Sequence, residues 1–166
     1  CDVTDSRQIA DALLLGVRHF GGIDVLVSNA GNFPASQSLE LMTDDNWEKS
    51  IELNLSSHMR VMRACLPYLK EGFDPAVVII ASKNVPAPGP GASAYSAAKA
   101  GLTQMARVAA LELGEYGVRV NVLHPNAVYD TAIWTEEVLS ERATNYGLSV
   151  EEYKTANLLK QEVTSK

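Results

Sequence analysis

The sequence predicts an α/β fold of the doubly wound kind, with a parallel β-sheet as the middle of three layers. Two observations carry this. Three short apolar runs rich in β-branched residues, at 23–28, 76–81 and 118–123, lack strict alternation, as strands buried on both faces do. Long segments with helical apolar spacing separate them, and strand–helix–strand alternation marks a parallel sheet wound by helices.

Along the chain, Asp5 or Ser6 can cap a first helix carrying Ile9, Leu13, Val17 and Phe20, which Gly21-Gly22 ends. The first strand runs into Ser28-Asn29-Ala30-Gly31. Thr43-Asp44-Asp45 opens a long helix through Trp47, Ile51, Leu55, Met59, Met62 and Leu66, with Pro67 marking a kink or an end. The second strand leads to Ser82-Lys83-Asn84 and a loop rich in Pro and Gly, residues 86–91, which by its position is an ordered site loop. Ser93 or a neighbour opens a helix with Tyr95, Lys99, Leu102, Met105, Val108 and Leu111, closing near Gly114 to Gly117. The third strand leads to His124-Pro125-Asn126, and residues 134–145 and 149–159 read as two weaker helices.

The bulk numbers exclude several classes. The 166 residues suffice for one domain, and 46% hydrophobic with 20% charged residues is globular composition rather than disorder. A formal charge of −6 gives no electrostatic reason to expect nucleic acid or an anionic membrane. No apolar run is long enough for a membrane helix, and Cys1-Asp2-Val3-Thr4-Asp5 is not a signal peptide. A cytoplasmic location is expected, with Cys1 and Cys65 as reduced thiols. His19, His58 and His124 have no ligand set around them, so no metal is expected.

Parallel sheets of this kind bind ligands beyond the carboxyl ends of their strands, where the three small polar clusters fall. On the following helix, Tyr95 and Lys99 stand four residues apart and share one face. A free tyrosine titrates near about 10, too high for efficient proton transfer at neutral pH, and a nearby ammonium favours phenolate. Alone, this spacing is common on exposed helices. Ser82, thirteen positions earlier at a strand end, changes its meaning.

Ser82, Tyr95-Ser96-Ala97-Ala98-Lys99, Asn29-Ala30-Gly31 upstream and Pro125 downstream together resemble the short-chain dehydrogenase/reductase family, in family order over essentially the whole chain. The resemblance implies a Rossmann-like αβα sandwich and a nicotinamide cofactor, NAD or NADP, exchanging hydride with an alcohol or carbonyl substrate. Tyr95 would be the general acid or base, Ser82 would hold the substrate oxygen, and Lys99 would lower the tyrosine pKa and bind the ribose. Asn54 would hold a water linking Lys99 to solvent; a solvated or capping side chain is its plain alternative. Asp2-Val3 would contact adenine and Asn29, Ala30 and Gly31 would flank the ribose. Pro125, Val128 and Thr131 would follow the nicotinamide and pyrophosphate, although Asn126 replaces the usual glycine and Thr131 lies one position late.

Residues 1–166 are thus expected to be a partial NAD(P)-binding domain, lacking the family's first βαβ unit with its glycine-rich turn and the last strand, and inactive alone. Homodimers or homotetramers through the Asn54 helix and the Tyr95/Lys99 helix are implied as well. The segments 81–91 and 124–128 look like the dehydrogenase portion of bifunctional aldolase/short-chain dehydrogenases, implying a small hydroxy-aldehyde such as lactaldehyde. The rival readings are a non-catalytic nucleotide-binding or assembly module, and the extended epimerase/dehydratase branch, which shares Tyr-x-x-x-Lys.

Overall fold

The computed structural model describes residues 1–33 and 36–166. They form two compact units, Cys1–His124 and Pro125–Lys166. In the first unit the elements are α1 (Ser6–Phe20), β1 (Val25–Ser28), α2 (Asp44–Ile51), α3 (Ser57–Leu69), β2 (Ala76–Ile80), α4 (Ser93–Leu113) and β3 (Arg119–Leu123).

The helices begin and end where local chemistry dictates. The Asp5 side chain accepts from the amides of Arg7 and Gln8 to open α1, and Gly21, at φ 91°, closes it by donating to the Val17 carbonyl. Thr43 caps α2 by accepting from the Asn46 amide. A π-helical turn, Glu52–Ser56, joins α2 to α3, so the expected long helix is continuous but carries one widened turn. Pro67 falls in the last turn of α3, which ends at Leu69. No side-chain hydrogen bond caps α4, and the buried Ser93 hydroxyl has no partner among the described residues, so Ser93 begins that helix but does not cap it.

The three strands are parallel in the order β1-β2-β3. The register aligns Leu26 with Val77 and Val120, and Ser28 with Ile79 and Val122. That face of the sheet meets Met62, Cys65 and Leu69 of α3 and Leu102, Ala106, Ala109 and Leu113 of α4 to make the core. The opposite face differs from expectation. Val25 is 56% exposed, Val27 60% and Leu123 52%, so burial on both faces holds for β2 and not for its neighbours. An apolar strand pattern records readiness for burial; what covers it depends on packing far along the chain.

In the second unit, α5 (Glu136–Asn145) is capped by Thr135, and α6 (Val150–Lys154) by a reciprocal Ser149–Glu152 capping box. The segment 149–159 is helical only to Lys154. Leu158, at 101%, and Leu159, at 77% exposure, bury nothing that would hold another turn. Tyr129, Trp134, Tyr146 and Tyr153 cluster ring against ring as the centre of this unit. No helix among the described residues is long and apolar enough to cross a membrane.

Candidate active site

Four elements converge where the strands end. β2 delivers Ser82, because the Ala81 amide still pairs with the Leu123 carbonyl at 2.8 Å and carries the sheet one residue beyond Ile80. The Ser82 hydroxyl accepts from the Asn84 amide at 3.1 Å, and its carbonyl lies 2.9 Å from His124 Nδ1. The residue is therefore fixed from both sides.

On α4, Tyr95 and Lys99 face the same space. Lys99 Nζ stands 5.9 Å from the centroid of the Tyr95 ring, and the phenol lies close enough to the Ser82 side chain for that hydroxyl to favour the phenolate. The Phe33 ring packs on Tyr95 with centroids 4.9 Å apart. Lys99 is only 3% exposed, and its ammonium donates to the Ile80 carbonyl at 3.0 Å. Burial pushes its pKa down to about 8.

The tyrosine departs from the sequence-based expectation. Burial raises its pKa, and the neighbouring Ser82 side chain only opposes that rise. The ammonium was expected to dominate; instead it is aimed at Ile80, and loss of solvent around the phenol prevails.

The π turn presents Asn54, which is 1% exposed; the solvated alternative is excluded. Its Oδ1 accepts from the Asn32 amide at 3.1 Å, and its Nδ2 donates to Ser50 Oγ at 3.4 Å. Gly101 lets α4 press on this turn, since a Cβ there would meet Leu55 Cδ2 at 3.0 Å. A Cβ on Gly31 would meet Asn54 Oδ1 at 3.0 Å and Lys99 Nζ at 3.4 Å, so the segment 28–32 passes directly over both groups. Asn29, Ala30 and Gly31 are exposed.

Sequence reasoning missed one member of this group. His58, one helical turn beyond Asn54, is 1% exposed, and its Nδ1 lies 2.6 Å from Ser28 Oγ. Its pKa falls to about 4, chiefly by burial and then by the nearby Lys99 charge, while the Ala30 backbone pulls weakly the other way. Its i+4 spacing from Asn54 was the available signal.

The remaining candidates lie in other settings. The Asp2 carboxylate accepts from the Thr4 amide at 2.8 Å and from Thr4 Oγ1 at 2.7 Å, which lowers its pKa, and Val3 sits in the same turn before α1. Pro125, Val128 and Thr131 belong to the second unit, where Thr131 Oγ1 donates to the Val128 carbonyl at 2.8 Å. Among the described residues no group of three or more His, Cys, Asp or Glu is placed to hold a metal.

Comparison with known proteins shows the family and the fold. The family model for short chain dehydrogenase matches residues 1–142. The chain is 32% identical over 165 residues to the D-beta-hydroxybutyrate dehydrogenase of Rhizobium meliloti, covering 99% of this chain and 63% of that one. It is 34% identical to an uncharacterised oxidoreductase of Bacillus subtilis, covering 89% of this chain but 22% of that one. The crystal structure of carveol dehydrogenase from Mycobacterium avium in complex with NAD superposes with a TM-score of 0.81 at 28% identity, covering 85% of this chain and 51% of that one. The chain spans about half the length of other curated relatives that it matches.

Proposed function

Because the chain belongs to the short-chain dehydrogenase family, we propose that it carries the proton-transfer site of an NAD- or NADP-dependent oxidoreductase acting on an alcohol or carbonyl compound. The observation that supports this most is the Tyr95 phenol beside the Ser82 side chain, with the buried Lys99 ammonium one helical turn away. A non-catalytic binding module has no use for that combination.

The residues present fit a dinucleotide. Gly31 leaves open the space beside Asn54 Oδ1 and Lys99 Nζ that a Cβ would fill. Asn29, Ala30 and Gly31 would flank a ribose there, and Lys99 would donate to its hydroxyls. Asp2 and Val3 are assigned to adenine, and Pro125, Val128 and Thr131 to the nicotinamide and pyrophosphate. Residues 1–166 are read as part of one NAD(P)-binding domain.

The bound nicotinamide supplies the hydride acceptor or donor. Tyr95 takes the proton from the substrate hydroxyl in oxidation and returns it in reduction, while Ser82 donates to the same oxygen as charge develops on it. The raised tyrosine pKa favours the neutral phenol, the form that donates the proton in reduction; in oxidation the phenol must first release its own proton toward solvent before it takes the substrate's. Asn54, with Lys99, would hold the water that connects the pair to solvent.

The narrower reading is a small hydroxy-aldehyde such as lactaldehyde, as in the dehydrogenase part of bifunctional aldolase/short-chain dehydrogenases. The residues at 81–91 and 124–128 support it, together with a Bacillus subtilis relative far longer than the matched region. We assign assembly as a homodimer or homotetramer to the Asn54 helix and α4, on which Trp47, Met59, Val108 and Leu111 are exposed, and we assign the protein to the cytoplasm.

The test is to supply the full-length natural protein with NAD or NADP and a panel of secondary alcohols and hydroxy-aldehydes, following reduced nicotinamide. Reduction with at least one pair is expected. No turnover and no dinucleotide binding would overturn the reading.

A further inference from the structure

The helix that bears Asn54 grips the strand-end turn at two places. Asn54 Oδ1 takes the Asn32 amide at 3.1 Å, and one helical turn on, His58 Nδ1 meets Ser28 Oγ at 2.6 Å. Both side chains are 1% exposed and Ser28 is 6% exposed. Between the two grips lies Gly31, over Asn54 Oδ1 and Lys99 Nζ. A core position with no such duty would be filled more cheaply by an aliphatic side chain, because a buried imidazole must satisfy two nitrogens. Here one nitrogen is well bonded, and Nε2 has no partner of good geometry among the described residues.

We propose that His58 is a positioning residue, which through Ser28 holds the 28–32 turn at the height over Lys99 and Asn54 that the dinucleotide ribose requires. This rests on the proposed cofactor site. The ring is neutral at physiological pH, since burial and the Lys99 charge both oppose a second cation. Ser28 Oγ and Nδ1 are joined by one short hydrogen bond, in which the donor follows from the tautomer of the ring. Asn54 alone would secure the far end of the turn and leave Ser28 free to rotate, so that Asn29 to Gly31 would sample positions unsuited to a ligand. His58 thereby supplies preorganisation and touches no reacting atom.

Three variants of the full-length protein decide the matter: His58→Leu, which removes both nitrogens at similar volume; His58→Asn, which keeps an acceptor for Ser28; and Ser28→Ala. The readouts are dinucleotide Kd without substrate, amide hydrogen exchange of residues 29–32, kcat at saturation, and the KM for dinucleotide. We expect His58→Leu and Ser28→Ala each to weaken dinucleotide binding about threefold to tenfold, the worth of one neutral hydrogen bond. Exchange at 29–32 should quicken while that of β2 does not, kcat should stay within about twofold, and His58→Asn should recover most of the loss. The double variant should be no worse than either single one.

Wild-type affinity and exchange in folded His58→Leu, or independent addition of the two losses, would overturn the role of His58 alone. If His58→Leu does not fold, unchanged Kd and exchange in Ser28→Ala overturn it equally. A wild-type protein that binds neither NAD nor NADP would overturn the cofactor site and this role together.

Discussion

Lys99 Nζ donates to the Ile80 carbonyl at 3.0 Å while standing 5.9 Å from the centroid of the Tyr95 ring. The last residue of β2 thus anchors the group that faces the phenol. The sheet and α4 are tied together at the point where the chemistry is proposed. This geometry makes Lys99 a cost as well as an asset, because an ammonium with 3% exposure has lost most of its hydration.

That cost can be measured. Burial lowers the Lys99 pKa from 10.5 to about 8, so between those values the unfolded chain binds the proton that the folded chain has released. Stability from this group therefore rises as pH climbs from 8 to 10.5 and is least at neutral pH. Lys99→Met should unfold in urea at equal or higher midpoint at pH 7, by up to about 2 kcal/mol after loss of the Ile80 bond. Its activity should collapse. A large loss of stability would show that the ammonium is held at a net gain.

His58 gives a dependence of the same sign at lower pH. Its folded pKa of about 4 lies below the ordinary 6.5, so the contribution of the neutral ring is complete above 6.5 and is lost as pH falls through 4. The span corresponds to roughly 3 kcal/mol. Unfolding free energy measured from pH 7 to pH 4 should fall less steeply in His58→Asn, which has nothing to protonate. Parallel slopes in the two proteins would contradict the burial assigned to the ring.

Two glycines should respond differently to the same substitution. In Gly31→Ala the new Cβ would press on Asn54 Oδ1 at 3.0 Å and Lys99 Nζ at 3.4 Å, groups that can yield. Its cost should appear as dinucleotide binding weakened about tenfold, with stability down by only about 1 kcal/mol. In Gly72→Ala the Cβ would meet the Ile23 carbonyl at 2.9 Å and the Leu69 carbonyl at 3.2 Å, both backbone atoms. There stability should fall by about 1–3 kcal/mol with dinucleotide affinity unchanged. Thermal unfolding and ligand titration of both variants check the contrast.

What was legible in the sequence follows from how local the signal is. The caps at Asp5 and Thr43, the helix holding Tyr95 and Lys99, and the three strands all rest on short-range patterns, and the structure has them. The pairing of Ser28 with His58 spans thirty residues, and no periodicity points from one to the other. The π turn at Asn54, against which α4 packs at Leu55, is not encoded in a helical pattern. The direction of the Tyr95 shift was missed for a related reason. Spacing shows that a charge is near, whereas the depth of burial that outweighs it is a tertiary property.

The central claim is that Tyr95 moves the substrate proton, and the most direct test is single-turnover hydride transfer by the full-length protein with Tyr95→Phe. Loss of the hydroxyl should slow that step by about a hundredfold or more, with dinucleotide Kd unaltered. Hydride transfer at the wild-type rate would contradict it.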